Sequence, residues 1–349
     1  MKITHIHIER FRGFQNEDFE VGSLLTAIAG QNGTQKSTLL GIITQTFTLK
    51  TEDSMRVEKP LCGGSYISAF KDKFRLSPTF DKPKGHEWTI SFDAGMDDFT
   101  VESIKRTGDP NVRFWKKGAR QEGDGYISFP TIFLSLKRLV PVAEEAKIIT
   151  DDTLLTQEEL NEFKQLHNKI LIAQTPISSA TTITSKNKQS IGVSTELYDW
   201  NQNSMGQDNL GKIILALFSF KRLHDKYPRQ YKGGILAIDE MDATMYPASQ
   251  VELLKVLRKY ASKLNLQILF TTHSMSLLKA MDDLVQEVTK KEETANQAKI
   301  LYLKKVDDKI AIKQGVNFKG IQLDLNVVAE GNNRKKNRIT AYTEDKENI

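Results

Sequence analysis

The stretch LLTAIAGQNGTQKSTLLGIITQTF, residues 24–47, decides the fold. Its first part, Leu24 to Gly30, is a short apolar run ending in glycine, which reads as a buried strand. From Ser37 onward, Leu39, Leu40, Ile43 and Phe47 recur at helical spacing. Between them lies GQNGTQKST, Gly30 to Thr38, one glycine short of the phosphate-loop pattern G-x-x-x-x-G-K-[ST]. Gly30, Lys36 and Ser37 are in register, and Gln35 stands where the second glycine belongs. In such a loop the backbone N–H groups of residues 32 to 37 wrap a phosphate, and the helix N-terminus adds partial positive charge. Lys36 would reach the β- and γ-phosphates of a nucleotide, and Ser37 would ligate Mg²⁺. Glutamine at 35 suits such a loop if the backbone there keeps an ordinary negative φ. Taken alone, the stretch is equally a plain strand, turn and helix.

Working outward, KITHIHIERF alternates like a strand and FRGF turns at Gly13. Residues 50–130 carry turn signals around HEWTISFDA and FTVESIKR, an antiparallel lobe inserted into the main fold. TIFLSLKRLVP, Thr131 to Pro141, reads as a buried strand returning to the core. EELNEFKQLHNKILIAQ is an amphipathic helix, and SSATTITSKNKQS is expected to be a mobile loop. A patterned helix covers 209–223. GGILAIDE and LQILFTTHS are buried strands separated by a helix with Pro247 near its first position. ILYLKKVDDKIAIKQ is a hairpin turning at Asp307 and Asp308. Strands alternating with helices predict a parallel α/β core.

Composition narrows the class. The 349 residues are 39% hydrophobic and 27% charged, enough for one large or two medium domains. No run of about 18 apolar residues is present, so no membrane span is expected. MKITHIHIERF lacks the apolar core of a signal peptide. Cys62 is the only cysteine, which excludes an internal disulfide and suits the cytoplasm. A net charge of +5 permits nucleic-acid binding without requiring it. Lys116, Lys117 and Arg120, or Arg334 to Lys336, are the basic clusters available for it.

Three further pieces carry chemistry. ILAIDE, Ile235 to Glu240, is an apolar strand ending in two acids. Asp239 would hold the Mg²⁺ shell, and Glu240 would orient and deprotonate the attacking water. His273 in TTHS ends a buried strand and could hydrogen-bond a γ-phosphate. NSMGQ, Asn203 to Gln207, precedes the helix at 209–223, so Ser204 and Gly206 could contact a γ-phosphate from its N-terminus. Asp242 follows closely and could meet a partner subunit. Each piece alone has an ordinary structural explanation.

Taken in order, the set resembles the ATP-binding-cassette ATPases over about residues 1–315. The lysine loop looks like the Walker A, IDE like the Walker B, SMGQ like the signature and His273 like the switch histidine. The FRGF strand and DEMDATMYP resemble the RecF, SMC and OLD (overcoming lysogenization defect) group, with Tyr246 in place of a histidine. The absence of long heptads disfavours an SMC-type head. The resemblance implies an ABC-ATPase head of α/β class, with a parallel core sheet, an inserted antiparallel β lobe and a helical signature subdomain. On that reading residues 1–330 are the ATPase domain, with 50–130 as the insertion and 150–225 as the helical region; 331–349 are a basic linker that could begin a Toprim nuclease domain. The cofactors implied are ATP and Mg²⁺. Gly30, Asn32, Gly33, Gln35, Lys36, Ser37 and Thr38 would bind nucleotide in one subunit. Ser204, Gly206 and Gln207 of a second copy would complete the site, making a homodimer glued by ATP, or a higher oligomer built from such pairs.

OLD-like proteins continue into a Toprim nuclease whose first strand ends in a metal-binding glutamate. RITAYTED offers Glu344 and VVAEG offers Glu330. The resemblance therefore implies an ATPase controlling a nuclease or toxin effector in anti-phage defence or DNA repair, in contact with DNA or RNA and without a membrane partner. The alternative is a nucleotide-locked scaffold with little hydrolysis, which the Gln35 anomaly favours. Arg138 occupies about the place of a nucleotide-sensing residue, or is a surface arginine at a strand end.

Overall fold

The computed structural model describes residues 1–66, 73–93, 95–105, 112–118, 125–140, 147–151, 154–185 and 189–331, the segment 326–331 by its backbone alone. Glu344, Arg120 and Arg334 to Lys336 lie outside the described residues.

Two sheets frame the molecule. The N-terminal hairpin is β1 (Ile3–Phe11) and β2 (Phe14–Glu20), and next comes the central strand β3 (Leu25–Gly30). Helix α1 (Lys36–Thr44) follows the loop and leads to a short strand β4 (Phe47–Thr48). Strands β5 (Glu87–Phe92), β6 (Phe99–Lys105) and β7 (Val112–Lys116) join the hairpin in one antiparallel sheet, in the order β2-β1-β5-β6-β7. The antiparallel strands expected between 50 and 130 thus extend the N-terminal hairpin. A short β8 (Ile127–Ser128) pairs with β4.

After β9 (Thr131–Leu134) the chain takes one 3₁₀ turn, Leu136–Leu139, so the strand read from Thr131 to Pro141 stops early. A three-stranded antiparallel sheet follows from β10 (Ile149–Asp151), β11 (Ser179–Thr184) and β12 (Gln189–Ser194). Between its first two strands runs helix α2 (Gln157–Leu171), started by a Thr156–Glu159 capping box. Where a mobile loop was expected at SSATTITSKNKQS, residues 179–184 form β11 and 189–190 begin β12, while 186–188 lie outside the described residues. Ile183, Ile191 and Val193 turn inward, and β-branched threonines suit the pleat.

The second frame sheet has the order β16-β15-β3-β14-β13-β9. It uses β13 (Gly234–Ile238), β14 (Leu266–Thr272), β15 (Ala298–Val306) and β16 (Lys309–Lys313). Every pairing is parallel except β15 with β16. Strands β13 and β14 are buried at every position, as parallel strands covered on both faces must be. Ile235 and Ala237 face the core shared with α1 and the antiparallel sheet. Leu236 and Ile238 face the core shared with α3 (Met205–Lys226), α4 (Pro247–Lys263) and α5 (Met275–Val288). The last helix, α6, is Phe318–Gly331. Glu330 therefore belongs to a helix, not to the end of a strand as VVAEG suggested. Among the described residues no helix is long and apolar enough to cross a membrane.

One core residue makes stability pH-dependent. His167 lies on the buried face of α2 with Phe163 and Ile170, and neither ring nitrogen has a hydrogen-bond partner. Burial lowers its pKa from 6.5 to about 4. The folded state therefore favours the neutral ring. That stabilisation is fully present above the unfolded pKa and is lost as pH falls from 6.5 toward 4. Between pH 7 and 5 the natural chain should lose about 2 kcal/mol more stability than a His167→Phe chain. Urea unfolding at both pH values checks this, and equal losses would refute it.

Candidate nucleotide site

The parallel order brings the C-terminal ends of β3, β14, β13 and β9 to one edge of the sheet, where α/β folds place their ligands. Gly30 closes β3 at φ +152, and a Cβ there would sit 2.4 Å from the Leu303 carbonyl oxygen on β15. Only glycine fits so close an approach. Asn32 and Gly33 are exposed at the loop tip, and Thr34 Oγ1 donates to the Gln31 carbonyl at 2.8 Å.

Gln35 corrects the sequence reading. Its backbone is left-handed, with φ 62 and ψ 31, and it is the N-cap of α1 without a side-chain cap bond. The loop thus uses the conformation for which glycine is the usual choice, and glutamine carries a strain of about 1 kcal/mol. Gly13 accommodates the misfit. A Cβ on Gly13 would lie 2.8 Å from Gln35 Nε2 and 2.7 Å from Ile310 Cγ1. Gln35→Gly should stabilise the chain by about 1 kcal/mol, read from its urea midpoint. A loss instead would show that side-chain packing over Gly13 outweighs the strain.

Lys36 is buried and its Nζ donates to the carbonyls of Gly30 at 3.0 Å and Gln31 at 2.9 Å. Burial lowers its pKa, opposed by the charges of Glu240, Asp239 and Asp242. Ser37 Oγ donates to Asp239 Oδ1 at 2.8 Å, joining α1 to the end of β13. Thr271 Oγ1 on β14 donates to the same oxygen at 2.8 Å and accepts the Glu240 N–H at 2.6 Å. Glu240 is itself left-handed, with φ +50. Non-glycine residues seldom adopt that conformation unless their surroundings enforce it. Arg138 Nη2 donates to the Glu240 carbonyl at 2.8 Å.

The loop, Lys36, Ser37, Asp239 and Glu240 therefore meet at one place. His273 follows β14 and is exposed, directly before the α5 cap, where Ser274 Oγ accepts from the Leu277 N–H and donates to Gln250 Oε1. Thr38 is half-buried and its Oγ1 accepts from Arg12 Nη1 at 3.4 Å.

Ser204, Gly206 and Gln207 are held by other partners. Ser204 and Gln207 form the capping box of α3, and Gln207 Nε2 donates to the Tyr198 hydroxyl at 2.6 Å. Gly206 packs on the segment after Glu240, since a Cβ there would lie 2.5 Å from the Thr244 carbonyl oxygen. Among the described hydrogen bonds, none joins these residues to the loop at 30–38.

Arg138 is buried, not at the surface. Sequence reasoning also passed over Thr271, although TTHS had drawn attention to its neighbour, and Arg12 within FRGF. A hydroxyl one strand away from the acids gave the only signal for Thr271.

For Mg²⁺, the Ser37 hydroxyl and Asp239 carboxylate fit a hard cation that takes oxygen ligands and keeps other positions for phosphate and water. Among the described residues no group of three His, Cys, Asp or Glu side chains could hold a metal by itself.

A glycine-closed strand, a lysine loop and a strand-end acid pair on a parallel sheet define a nucleotide-loop α/β protein. The chain belongs to the AAA ATPase domain family, whose match covers residues 1–190 and 135–278. A comparison with curated protein sequences gives no match. Among solved structures, an SMC head bound to the C-terminal winged-helix domain of ScpA is similar at 14% identity. The alignment covers 92% of this chain and 100% of that one, with a TM-score of 0.51. The SMC head domain of Thermotoga maritima also aligns at 14% identity, over 90% of this chain and 100% of that one, with a TM-score of 0.49. The recombination mediator RecF with a bound ATP analogue aligns at 11% identity, over 90% and 98%, with a TM-score of 0.44. The fold is thus similar to that of an SMC head, the likeness that the absence of long heptads had disfavoured.

Proposed function

We propose that this chain binds ATP with Mg²⁺, hydrolyses it, and pairs with a second copy around the nucleotide. The observation that carries this reading is the contact of Ser37 with Asp239, beside Lys36 and Glu240. The backbone N–H groups of residues 32 to 37 and the Lys36 ammonium hold the phosphates. Ser37 and Asp239 would hold Mg²⁺, which would supply positive charge to neutralise the polyphosphate. Glu240 orients the attacking water and takes its proton. His273, exposed at the end of β14, donates to the γ-phosphate.

Ser204, Gly206 and Gln207 act on the nucleotide of the second copy. What supports this is that among the described hydrogen bonds none joins them to their own loop: Ser204 and Gln207 cap α3, and Gly206 packs on Thr244. The head's cycle then controls a partner, a nuclease or toxin effector in anti-phage defence or DNA repair. That an SMC head of similar fold is bound to a domain of ScpA supports a partner protein here. A second reading, an ATP-locked scaffold with little turnover, draws its support from the left-handed Gln35.

Sedimentation of the Glu240→Gln chain tests the pairing. With ATP and Mg²⁺ it should run as a dimer, and without nucleotide as a monomer. A monomer in both, with ATP demonstrably bound, would remove the pairing from the account.

A further inference from the structure

Arg138 has an unusual setting. It lies on the 3₁₀ turn after β9 and is only 2% exposed. All four of its acceptors are uncharged oxygens. They are the carbonyls of Leu134 at 3.3 Å, Ser135 at 3.1 Å and Glu240 at 2.8 Å, and Asn209 Oδ1 at 2.7 Å. Asn209, fully buried on α3, donates in turn to the Ala243 carbonyl at 2.9 Å. A buried cation is costly unless fully hydrogen-bonded, and apolar side chains would pack this turn without that cost. Burial pulls the guanidinium down to about 10, opposed by the charges of Asp239, Glu240 and Asp242.

The acceptor at Glu240 explains the choice of residue. Thr271 Oγ1 holds the Glu240 N–H and Arg138 holds its carbonyl, so both sides of this left-handed residue are pinned. The direction in which the carboxylate leaves the backbone is thereby set. Asn209 adds a second tie. It binds Arg138 with its oxygen and Ala243 with its nitrogen, so α3 cannot shift against residues 240–243 without breaking one of these bonds.

We propose that Arg138 is a positioning residue for Glu240, acting through the Glu240 backbone and keyed by Asn209 to the placement of α3. The inference rests on the ATPase reading above for its catalytic consequence, whereas the backbone clamp itself is independent of it.

The test uses the full chain with Arg138→Met and Asn209→Ala, each checked for folding by thermal melting. Steady-state kinetics should show kcat at least tenfold lower with KM for ATP changed less than threefold. Hydrogen exchange should rise at least tenfold across residues 239–246 and stay unchanged across 30–44. Glu240→Gln is the control, losing turnover with exchange across 239–246 unaltered. If Arg138→Met does not fold, Asn209→Ala, which keeps the guanidinium, decides. Unchanged exchange across 239–246 overturns the proposal, as does a parallel change in kcat and KM, or an unchanged kcat in an active chain. If the natural chain turns over no ATP, the hydrolysis reading fails, and faster exchange across 239–246 still upholds the clamp.

Discussion

Lys36→Ala is expected to weaken ATP binding at least about a hundredfold, because charge-assisted bonds to phosphate are among the strongest a site can lose. The ammonium lies against the Gly30 and Gln31 carbonyls, at the inner side of the loop. Its burial already disfavours the charge, so an approaching polyphosphate gains a poorly solvated cation as partner. Removing it also takes a donor from two loop carbonyls. Calorimetric titration with ATP and Mg²⁺ measures the change. Affinity within threefold of the natural chain would mean that the nucleotide does not use this loop.

Glu240→Gln is the second large effect. Turnover should fall by about 10² to 10⁴, the usual range for losing a general base. ATP affinity should stay within a fewfold, since the phosphates are held by residues 32 to 37. The replacement keeps the N–H to Thr271 and the carbonyl to Arg138, so the left-handed backbone survives. The split between turnover and affinity separates a base from a residue that only shapes the loop.

The frame of the candidate nucleotide site was legible because its signals are local. LLTAIAG, ILAIDE and LQILFTT are apolar runs at strand length, and a parallel sheet buries such runs on both faces. The loop and the acids then fall at strand ends by topology. Other features depend on contacts distant in sequence. The polarity of SATTIT hid a strand whose Ile183 faces the core, because threonine serves the outer face of a sheet as well as a loop. The pairing of β1 with β5 spans dozens of residues and leaves no local trace. Nor could Gln35 announce its positive φ. That conformation follows from the geometry between β3 and α1, and Gly13, far back in FRGF, makes the room. Arg138 looked like a surface charge at a strand end. Its burial depends on α3 closing over the 3₁₀ turn, with Asn209 as the acceptor.

The most direct test of the central claim is phosphate release by the purified natural chain and its Glu240→Gln counterpart, each with saturating ATP and Mg²⁺. The account predicts steady turnover in the natural chain and its near-complete loss in Glu240→Gln. Equal rates in the two, or no release from a natural chain that binds ATP, would contradict it.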